Sequence, residues 1–185
     1  MKDRETDEVL FERVRKKKDN DALRELLIRY REELCFFLQG IVHNPEDAED
    51  LMLDAYAAAS SGTARFDGRS LFKTWLFAIG RNLALKFLRK QRLTVSSLKE
   101  EIASDSGTPE TEILKTEQNR MLYEALGSIP EDYRQALHLT YFENMSNDEV
   151  AVVLDKNKKQ VYNLITRGKQ ALKETLLKMG YETGM

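Results

Sequence analysis

The sequence contains few of the residues that interrupt helices, with only three prolines and nine glycines among 185 residues. Because proline and glycine disfavour helix interiors most, this scarcity leaves room for long uninterrupted helices. Cysteine is also scarce, and a single residue of this type, Cys35, excludes an internal disulfide. It lies in the apolar run LCFFL, which predicts a buried, inert thiol in a reducing compartment.

Long apolar runs are missing as well. No stretch approaches the roughly 18 apolar residues that a membrane-spanning helix needs, and the first residues, MKDRETDEV, lack the apolar core of a secretion signal. We therefore expect a cytoplasmic protein.

Motifs that carry chemistry are equally scarce. The two histidines, His43 and His138, are far apart and have no neighbouring residues at metal-ligand spacing. The sequence shows no glycine-rich phosphate loop and no nucleophile motif. We therefore expect no enzymatic activity, no cofactor and no metal site.

Charged residues are abundant, and they are segregated along the chain although the net charge is only −2. Residues 69–92 contain seven basic residues and no acidic one, and residues 156–173 contain six basic residues and no acidic one. Residues 46–54, in contrast, contain five acidic residues and no basic one. Such segregation creates local fields that the net charge conceals. The acidic segment is either a solvated face or a docking surface for a basic protein partner.

Apolar residues recur at three- and four-residue steps over most of the chain, which is the period of an amphipathic helix. The first helix is expected to bury Val9, Leu10 and Val14, and a later one to bury Leu137 and Tyr141. Residues 93–110 are rich in serine, acidic and small residues and mark a boundary. The sequence therefore predicts an all-α protein in which two small helical domains, 1–92 and 116–185, are joined by a flexible linker at 93–115.

The C-terminal part has the pattern of a helix-turn-helix: a capping box, SNDE at 146–149, opens a short helix that a turn connects to a longer basic helix. In this motif the N-terminal residues of the second helix face the bases of the major groove. The base-reading candidates are Lys158, Lys159, Gln160, Tyr162, Asn163, Thr166 and Arg167. The phosphate-contacting candidates are Lys156, Lys169 and Lys173. A basic helix that only faces water is the alternative.

A second basic segment, residues 69–92, is interleaved with aromatic residues. Cationic and aromatic side chains together suit unstacked single-stranded bases. The alternative is that the aromatic residues form the core, and this is favoured for Phe72 and Trp75. Phe66 lies in a glycine-containing loop and is less easily assigned to the core.

With these motifs the chain resembles the extracytoplasmic-function group of bacterial sigma factors, over roughly residues 8–92 and 118–178. PEDAEDLMLDAY resembles the acidic, core-binding helix of the sigma-two domain. FDGRSLFKTWLFAIGRNLALKFLRK is similar to the segment that melts promoters and reads the minus-ten element. The segment from LGSIPEDYRQAL to LITRGKQAL resembles the sigma-four domain, which reads the minus-thirty-five element.

The resemblance implies roles for individual residues. The residues matched to the polymerase-docking helix are Asp47, Glu49, Asp50, Leu53 and Asp54. The residues matched to the loop that captures an extruded base are Phe66, Asp67, Gly68, Arg69 and Ser70. The residues placed where the family contacts the minus-ten strand are Arg81, Asn82, Lys86 and Arg89. Residues 160–169 match the recognition helix.

The resemblance further implies a sigma subunit that binds core RNA polymerase, recognises a promoter with both domains and helps to melt it. Its implied partners are core polymerase, promoter DNA and an anti-sigma factor, and the free protein is expected to be a monomer. Two alternatives remain: a stand-alone helix-turn-helix regulator, and a sigma-like module that only binds polymerase or an anti-sigma factor.

The chain also departs from the family pattern. Leu53 stands where the family usually has glutamine, and Lys86 stands where it often has aspartate. Tyr162 and Leu164 replace two cations of the usual recognition helix, so a promoter sequence cannot be transferred from relatives. Leu164 is expected to be exposed and to be available to a partner.

Overall fold

A computed structural model describes residues 5–98 and 117–181, and every regular element in these ranges is an α-helix. The chain divides into two compact units, Met1–Asp105 and Ser106–Met185. The predicted fold, all-α with two helical domains, is confirmed. The helices are α1 (Asp7–Lys17), α2 (Asn20–Val42), α3 (Pro45–Ser61), α4 (Phe72–Leu98), α5 (Glu117–Ser128), α6 (Glu131–Tyr141), α7 (Asn147–Leu154) and α8 (Lys158–Lys178).

Polar side chains cap the first turns of α3 and α7. The side chain of Asn44 accepts a hydrogen bond from the Asp47 backbone N–H at 3.0 Å, directly before Pro45 opens α3. At α7 the predicted capping box forms, with the Ser146 backbone N–H donating to a Glu149 carboxylate oxygen at 2.8 Å. Both helices therefore start at positions that local sequence specifies.

The core of the N-terminal unit lies between α2, α3 and α4. Its largest fully buried side chains on these helices are Leu26, Leu34, Phe37, Leu38, Ile41, Met52, Phe72, Leu76 and Phe77. Gly80 permits the close approach of α4 to α2, because a Cβ at this position would lie 3.1 Å from Leu34 Cδ1. The Tyr56 hydroxyl donates to the buried carbonyl of Leu26 at 2.9 Å. Burial raises the pKa of this phenol.

Two helices of the N-terminal unit differ from the prediction. Helix α1 buries Phe11 in place of Val9, which is 47% exposed, because a cluster of aromatic rings receives Phe11. Helix α4 begins at Phe72 and continues to Leu98, beyond the predicted domain end at residue 92. No proline or glycine occurs between residues 92 and 98 to stop it. The rest of the predicted linker, 99–115, lies outside the described residues.

In the C-terminal unit, α5 and α6 pack against α8. Leu126, Ile129 and Leu137 form a buried cluster against which Ile165 and Leu172 of α8 pack. Tyr141 was expected in this core but is 50% exposed, because it is the last residue of α6 and its ring faces a lysine of α8. Helix α8, the predicted recognition helix, therefore packs on the rest of the unit through one apolar side.

The contact between α6 and α8 depends on Gly168, where an added Cβ would lie 3.2 Å from both Leu137 Cγ and Tyr133 Cβ. Because these atoms sit close to the α6 backbone, the helices would have to move apart. We expect Gly168→Ala to destabilise the C-terminal unit by about 1–3 kcal/mol. Urea unfolding followed by circular dichroism, with hydrogen exchange of α6 and α8 amides, measures this loss.

Gly127→Ala is the matched control for Gly168→Ala. A Cβ at Gly127 in α5 would meet no heavy atom within 4 Å. Because alanine favours a helix more than glycine does, Gly127→Ala should leave stability unchanged or raise it by up to about 1 kcal/mol. Equal losses in the two variants would refute the close packing at Gly168.

Candidate functional site

The turn between α7 and α8 has the geometry that a helix-turn-helix requires. Asp155 ends α7 in the left-handed conformation, with φ 52°. Asn157 then caps α8 by accepting a hydrogen bond from the Gln160 backbone N–H at 2.9 Å, and the Gln160 side chain accepts one from the Asn157 N–H at 2.8 Å. Gln160, predicted to read bases, therefore also stabilises the start of the helix that carries it.

Burial of Val161 and Gly168 determines which side of α8 faces solvent. Tyr162, at 63% exposure, is the most exposed large apolar residue of this helix. Lys156, in the preceding turn, is half-buried. The structure brings the remaining predicted recognition residues together on the exposed side: Lys158, Lys159, Gln160, Tyr162, Asn163, Thr166, Arg167, Lys169 and Lys173.

Leu164 does not belong to this exposed set. It lies three residues after Val161 and four before Gly168, hence on the buried side of α8, and it is half-buried. The expectation that Leu164 is an exposed contact for a partner is therefore wrong. Of the two residues that replace family cations, only Tyr162 is exposed.

The cations of this surface differ in their pairing. Lys156 Nζ lies 3.2 Å from a carboxylate oxygen of Asp132, and Lys158 Nζ lies 2.8 Å from one of Asp148. In the part of the chain that the structure describes, the other predicted cations have no carboxylate partner. These are Lys159, Arg167, Lys169 and Lys173. An uncompensated cation attracts a phosphate more strongly than one already paired with an acid.

In the N-terminal unit an aromatic cluster joins α1, the loop before α4 and α4 itself. The Phe66 ring lies 4.9 Å from that of Trp75 and makes an edge-to-face contact with Phe11 at 5.5 Å. The Phe11 ring also lies 5.0 Å from that of Phe72. Phe11 and Phe72 are buried, whereas Phe66 and Trp75 are half-buried. Phe66 therefore packs on the surface of the cluster, at the start of the predicted base-capturing loop.

Sequence reasoning missed the contribution of α1 to this site. Phe11 is 2% exposed and contacts the rings of Phe66, Phe72 and Trp75. The Phe72 backbone N–H, in the first turn of α4, donates to the carboxylate of Glu8 at 3.3 Å. The available signal was the position of Phe11 three residues before Val14, on the apolar side of α1.

The predicted base-capturing loop turns sharply after Phe66. The Asp67 carboxylate accepts a hydrogen bond from the Arg69 backbone N–H at 3.0 Å, and Gly68 has φ 75°, which glycine adopts without strain. The Arg69 side chain is 89% exposed and its Nε lies 3.3 Å from Asp67. The turn therefore presents a guanidinium to solvent beside the aromatic cluster.

The basic surface of α4 is narrower than the sequence indicates. Asn82, Lys86 and Arg89 are exposed and follow one another at steps of four and three residues, so they share one face. Arg81 is only 7% exposed and belongs to the interior of the unit. The structure therefore separates Arg81 from the three residues with which it was predicted to act.

Helix α3 carries the acidic surface. Asp47, Asp50 and Asp54 lie at steps of three and four residues along one face, with Asp47 half-buried and the other two exposed. Leu53 is 49% exposed beside them. Glu49 lies apart from this face, paired with Arg31 of α2 at 2.6 Å. Leu53, Asp50 and Asp54 are therefore exposed on one helix, whereas Glu49 is engaged in an ion pair.

The last features to consider are metal-binding groups, membrane-spanning helices and the single cysteine. Within residues 5–98 and 117–181, no group of three His, Cys, Asp or Glu side chains could hold a metal ion. No helix in the same ranges is long and apolar enough to cross a membrane. Cys35 is half-buried, and burial and then the charge of Glu49 raise the pKa of its thiol, which keeps it protonated.

The helices that carry these surfaces match two known protein families. A model of sigma-70 region 2 matches residues 26–94, and a model of sigma-70 region 4 matches residues 119–172. The first range contains the acidic helix, the loop and most of α4, and the second contains α7 and most of α8. The chain belongs to the extracytoplasmic-function group of RNA polymerase sigma factors.

Relatives of this sigma factor match it almost from end to end. It is 29% identical to the RNA polymerase sigma-H factor of Pseudomonas aeruginosa over 95% of the chain and 96% of the relative. It is 29% identical to the ECF RNA polymerase sigma-E factor of Escherichia coli K12, over 93% of the chain and 95% of the relative. It is 28% identical to the ECF RNA polymerase sigma factor SigW of Bacillus subtilis, over 87% of the chain and 92% of the relative.

Two solved structures have the same fold. One is the sigma factor RpoE in complex with the anti-sigma factor NepR from Bartonella quintana, with a TM-score of 0.72, 22% identity and coverage of 83% of this chain and 95% of that chain. Another is CnrH in complex with the cytosolic domain of CnrY, with a TM-score of 0.67, 23% identity and coverage of 93% and 97%.

The aromatic cluster allows a test of how α1 supports the loop. Phe11→Ala removes a buried ring that contacts three others and should cost about 3–5 kcal/mol. Trp75 is the one tryptophan of the chain, so the shift of its fluorescence to longer wavelength during urea unfolding reports this unit directly. Val9→Ala, on the exposed side of the same helix, should cost no more than about 0.5 kcal/mol. Similar losses in both variants would contradict the role given to Phe11.

Proposed function

We propose that this sigma factor binds core RNA polymerase through the acidic face of α3, reads the duplex minus-thirty-five element with α8, and captures the opened minus-ten strand with the 66–70 loop and α4. The observation that carries the proposal is the segregation of one acidic and two cationic surfaces onto different helices. The protein performs no covalent chemistry in this scheme. It acts in the cytoplasm, where polymerase and chromosome meet.

The proposed minus-thirty-five contact uses the exposed side of α8. Lys159, Asn163 and Arg167 follow one another at four-residue steps and so form a stripe opposite the buried Val161. Asparagine pairs with adenine edges, and arginine and lysine pair with guanine edges. Tyr162 lies beside the stripe and supplies an apolar edge for a thymine methyl group. Lys156 and Lys158 must first leave their carboxylate partners, so their contribution to affinity is smaller.

The proposed minus-ten contact uses the surface around the aromatic cluster. A base extruded from the duplex would stack on the half-buried rings of Phe66 and Trp75, while the exposed Arg69, on leaving the carboxylate of Asp67, attracts its phosphate. Stacking on an aromatic side chain contributes roughly 1–3 kcal/mol per base, which helps to offset the unpairing of the duplex. Asn82, Lys86 and Arg89 would then follow the strand along α4. Arg81 is left out of this surface because it is buried.

The proposed polymerase contact uses Asp47, Asp50, Leu53 and Asp54. The carboxylates suit a basic partner surface, and the exposed leucine adds apolar area that becomes buried on docking. Glu49 has a smaller role, because its carboxylate is already paired with Arg31. An anti-sigma factor is a further proposed partner, since the structurally similar sigma factor RpoE of Bartonella quintana is in complex with the anti-sigma factor NepR.

Run-off transcription with purified core polymerase on genomic DNA tests the proposal as a whole. Specific transcripts that require this chain are the expected result. Polymerase binding without any promoter-specific transcript would indicate the sigma-like interaction module. DNA binding without polymerase binding would indicate the stand-alone regulator.

We expect Asp50→Ala to weaken association with core polymerase while leaving the fold intact, because the carboxylate is exposed and makes no ion pair within the described residues. The expected loss is about two- to tenfold, since a rim carboxylate contributes modestly. Glu12→Ala removes an exposed acid from α1 and is the control of equal charge. Surface plasmon resonance with immobilised core measures both. Core binding unchanged by Asp50→Ala would refute the assignment of α3.

We expect Arg167→Ala to weaken promoter binding by the reconstituted holoenzyme about ten- to hundredfold, the range for loss of one specific arginine–base contact. Lys178→Ala, which removes an exposed cation from the last turn of the same helix, should have little effect. Electrophoretic mobility shift assays on a promoter found by run-off transcription compare the two. Equal effects of the two substitutions would argue for a general attraction to DNA in place of recognition by α8.

A further inference from the structure

A cation–π contact lies on the exposed side of the C-terminal unit. The ammonium of Lys169 in α8 lies over the ring of Tyr141, with Nζ 5.0 Å from the ring centroid. Tyr141 is the last residue of α6 and is 50% exposed, so the pair lies at the protein surface. The contact therefore contributes little to the apolar core between α6 and α8.

This pairing leaves the charge of Lys169 available. An aromatic ring attracts a cation through its quadrupole, but the ring carries no net charge and so does not neutralise the ammonium. Lys156 and Lys158 differ, because each is paired with a carboxylate, at 3.2 Å and 2.8 Å respectively. Lys169 is thus a lysine of this surface that is held in place and still carries an uncompensated charge.

The position of Lys169 along α8 fits a phosphate contact. Tyr162, Thr166, Lys169 and Lys173 follow one another at steps of four, three and four residues, so they form one stripe that starts in the base-reading turns. At about 1.5 Å per residue, Lys169 stands roughly 10 Å further along the axis than Tyr162. When the N-terminal turns of a recognition helix enter the major groove, its later turns pass close to the flanking backbone.

We propose that Tyr141 is a positioning residue of the DNA-binding surface, which holds the Lys169 ammonium ready for a phosphate of the promoter duplex. This inference rests on the proposed function of α8. A lysine side chain that is free in solution must lose rotamer freedom when it binds a phosphate, whereas a lysine already ordered over a ring loses less. The hydroxyl of Tyr141 has no part in this role, so a phenylalanine should replace the tyrosine without loss.

The test compares holoenzymes reconstituted with variants of the full chain on a promoter found by run-off transcription, over a series of salt concentrations. Tyr141→Leu removes the ring and should weaken binding about two- to fivefold at low salt, as expected for loss of a surface cation–π contact. Tyr141→Phe should bind as the wild type does. Lys169→Ala should weaken binding. It should also make the slope of log association constant against log salt concentration shallower by about 0.9, the value for one phosphate contact.

The double variant Tyr141→Leu, Lys169→Ala separates positioning from a structural role. If Tyr141 acts through Lys169, the double variant binds no more weakly than Lys169→Ala alone. Loss of affinity on Tyr141→Leu in both backgrounds, loss on Tyr141→Phe, or no loss on Tyr141→Leu would each overturn the inference while leaving promoter binding by α8 in place. A wild-type holoenzyme that binds no promoter would overturn the proposed function and this inference together.

Discussion

The close approach of α8 to α6 at Gly168 is the constraint on which the C-terminal unit and its exposed cationic surface depend. With no Cβ in the way, Leu137 and Tyr133 pack directly against the α8 backbone, and this contact together with the burial of Val161 sets the rotation of α8 about its axis. That rotation directs Lys159, Asn163 and Arg167 into solvent and turns Leu164 towards the protein. A helix buried by one narrow side can offer the whole opposite side to DNA, because its stability does not depend on the residues displayed there.

In the N-terminal unit, contacts between aromatic rings hold an exposed segment, the 66–70 loop, in place. Phe11, Phe66, Phe72 and Trp75 come from α1, the loop and α4, and their mutual contacts hold the loop against the two helices. The cluster is buried at its centre and half-exposed at Phe66 and Trp75. The same rings thus support the fold and, in the proposed function, offer a stacking surface to an extruded base. The two roles are compatible because stacking needs only one exposed ring face.

Much of this architecture could be predicted from local sequence. Asn44 with Pro45 and the capping box at Ser146 begin their helices by hydrogen bonds between residues that are at most three apart. The three- and four-residue apolar steps identify the helices, and the segregated charges indicate surfaces with different partners. Errors arose where a distant part of the chain decides the outcome. Burial of Phe11 over Val9 depends on rings more than fifty residues away, and α4 continues past residue 92 because composition alone does not end a helix.

By itself the sequence determined the helical class, the starts of α3 and α7, the family and the location of the acidic and basic segments, because all of these depend on residue type and short-range spacing. Only the tertiary structure decided which members of those segments are displayed. It buried Arg81, half-buried Leu164, paired Lys156 and Lys158 with acids of other helices, and set Lys169 over Tyr141. The physical reason is that exposure and charge pairing depend on which helices pack together, and residues far apart in the chain meet only after folding.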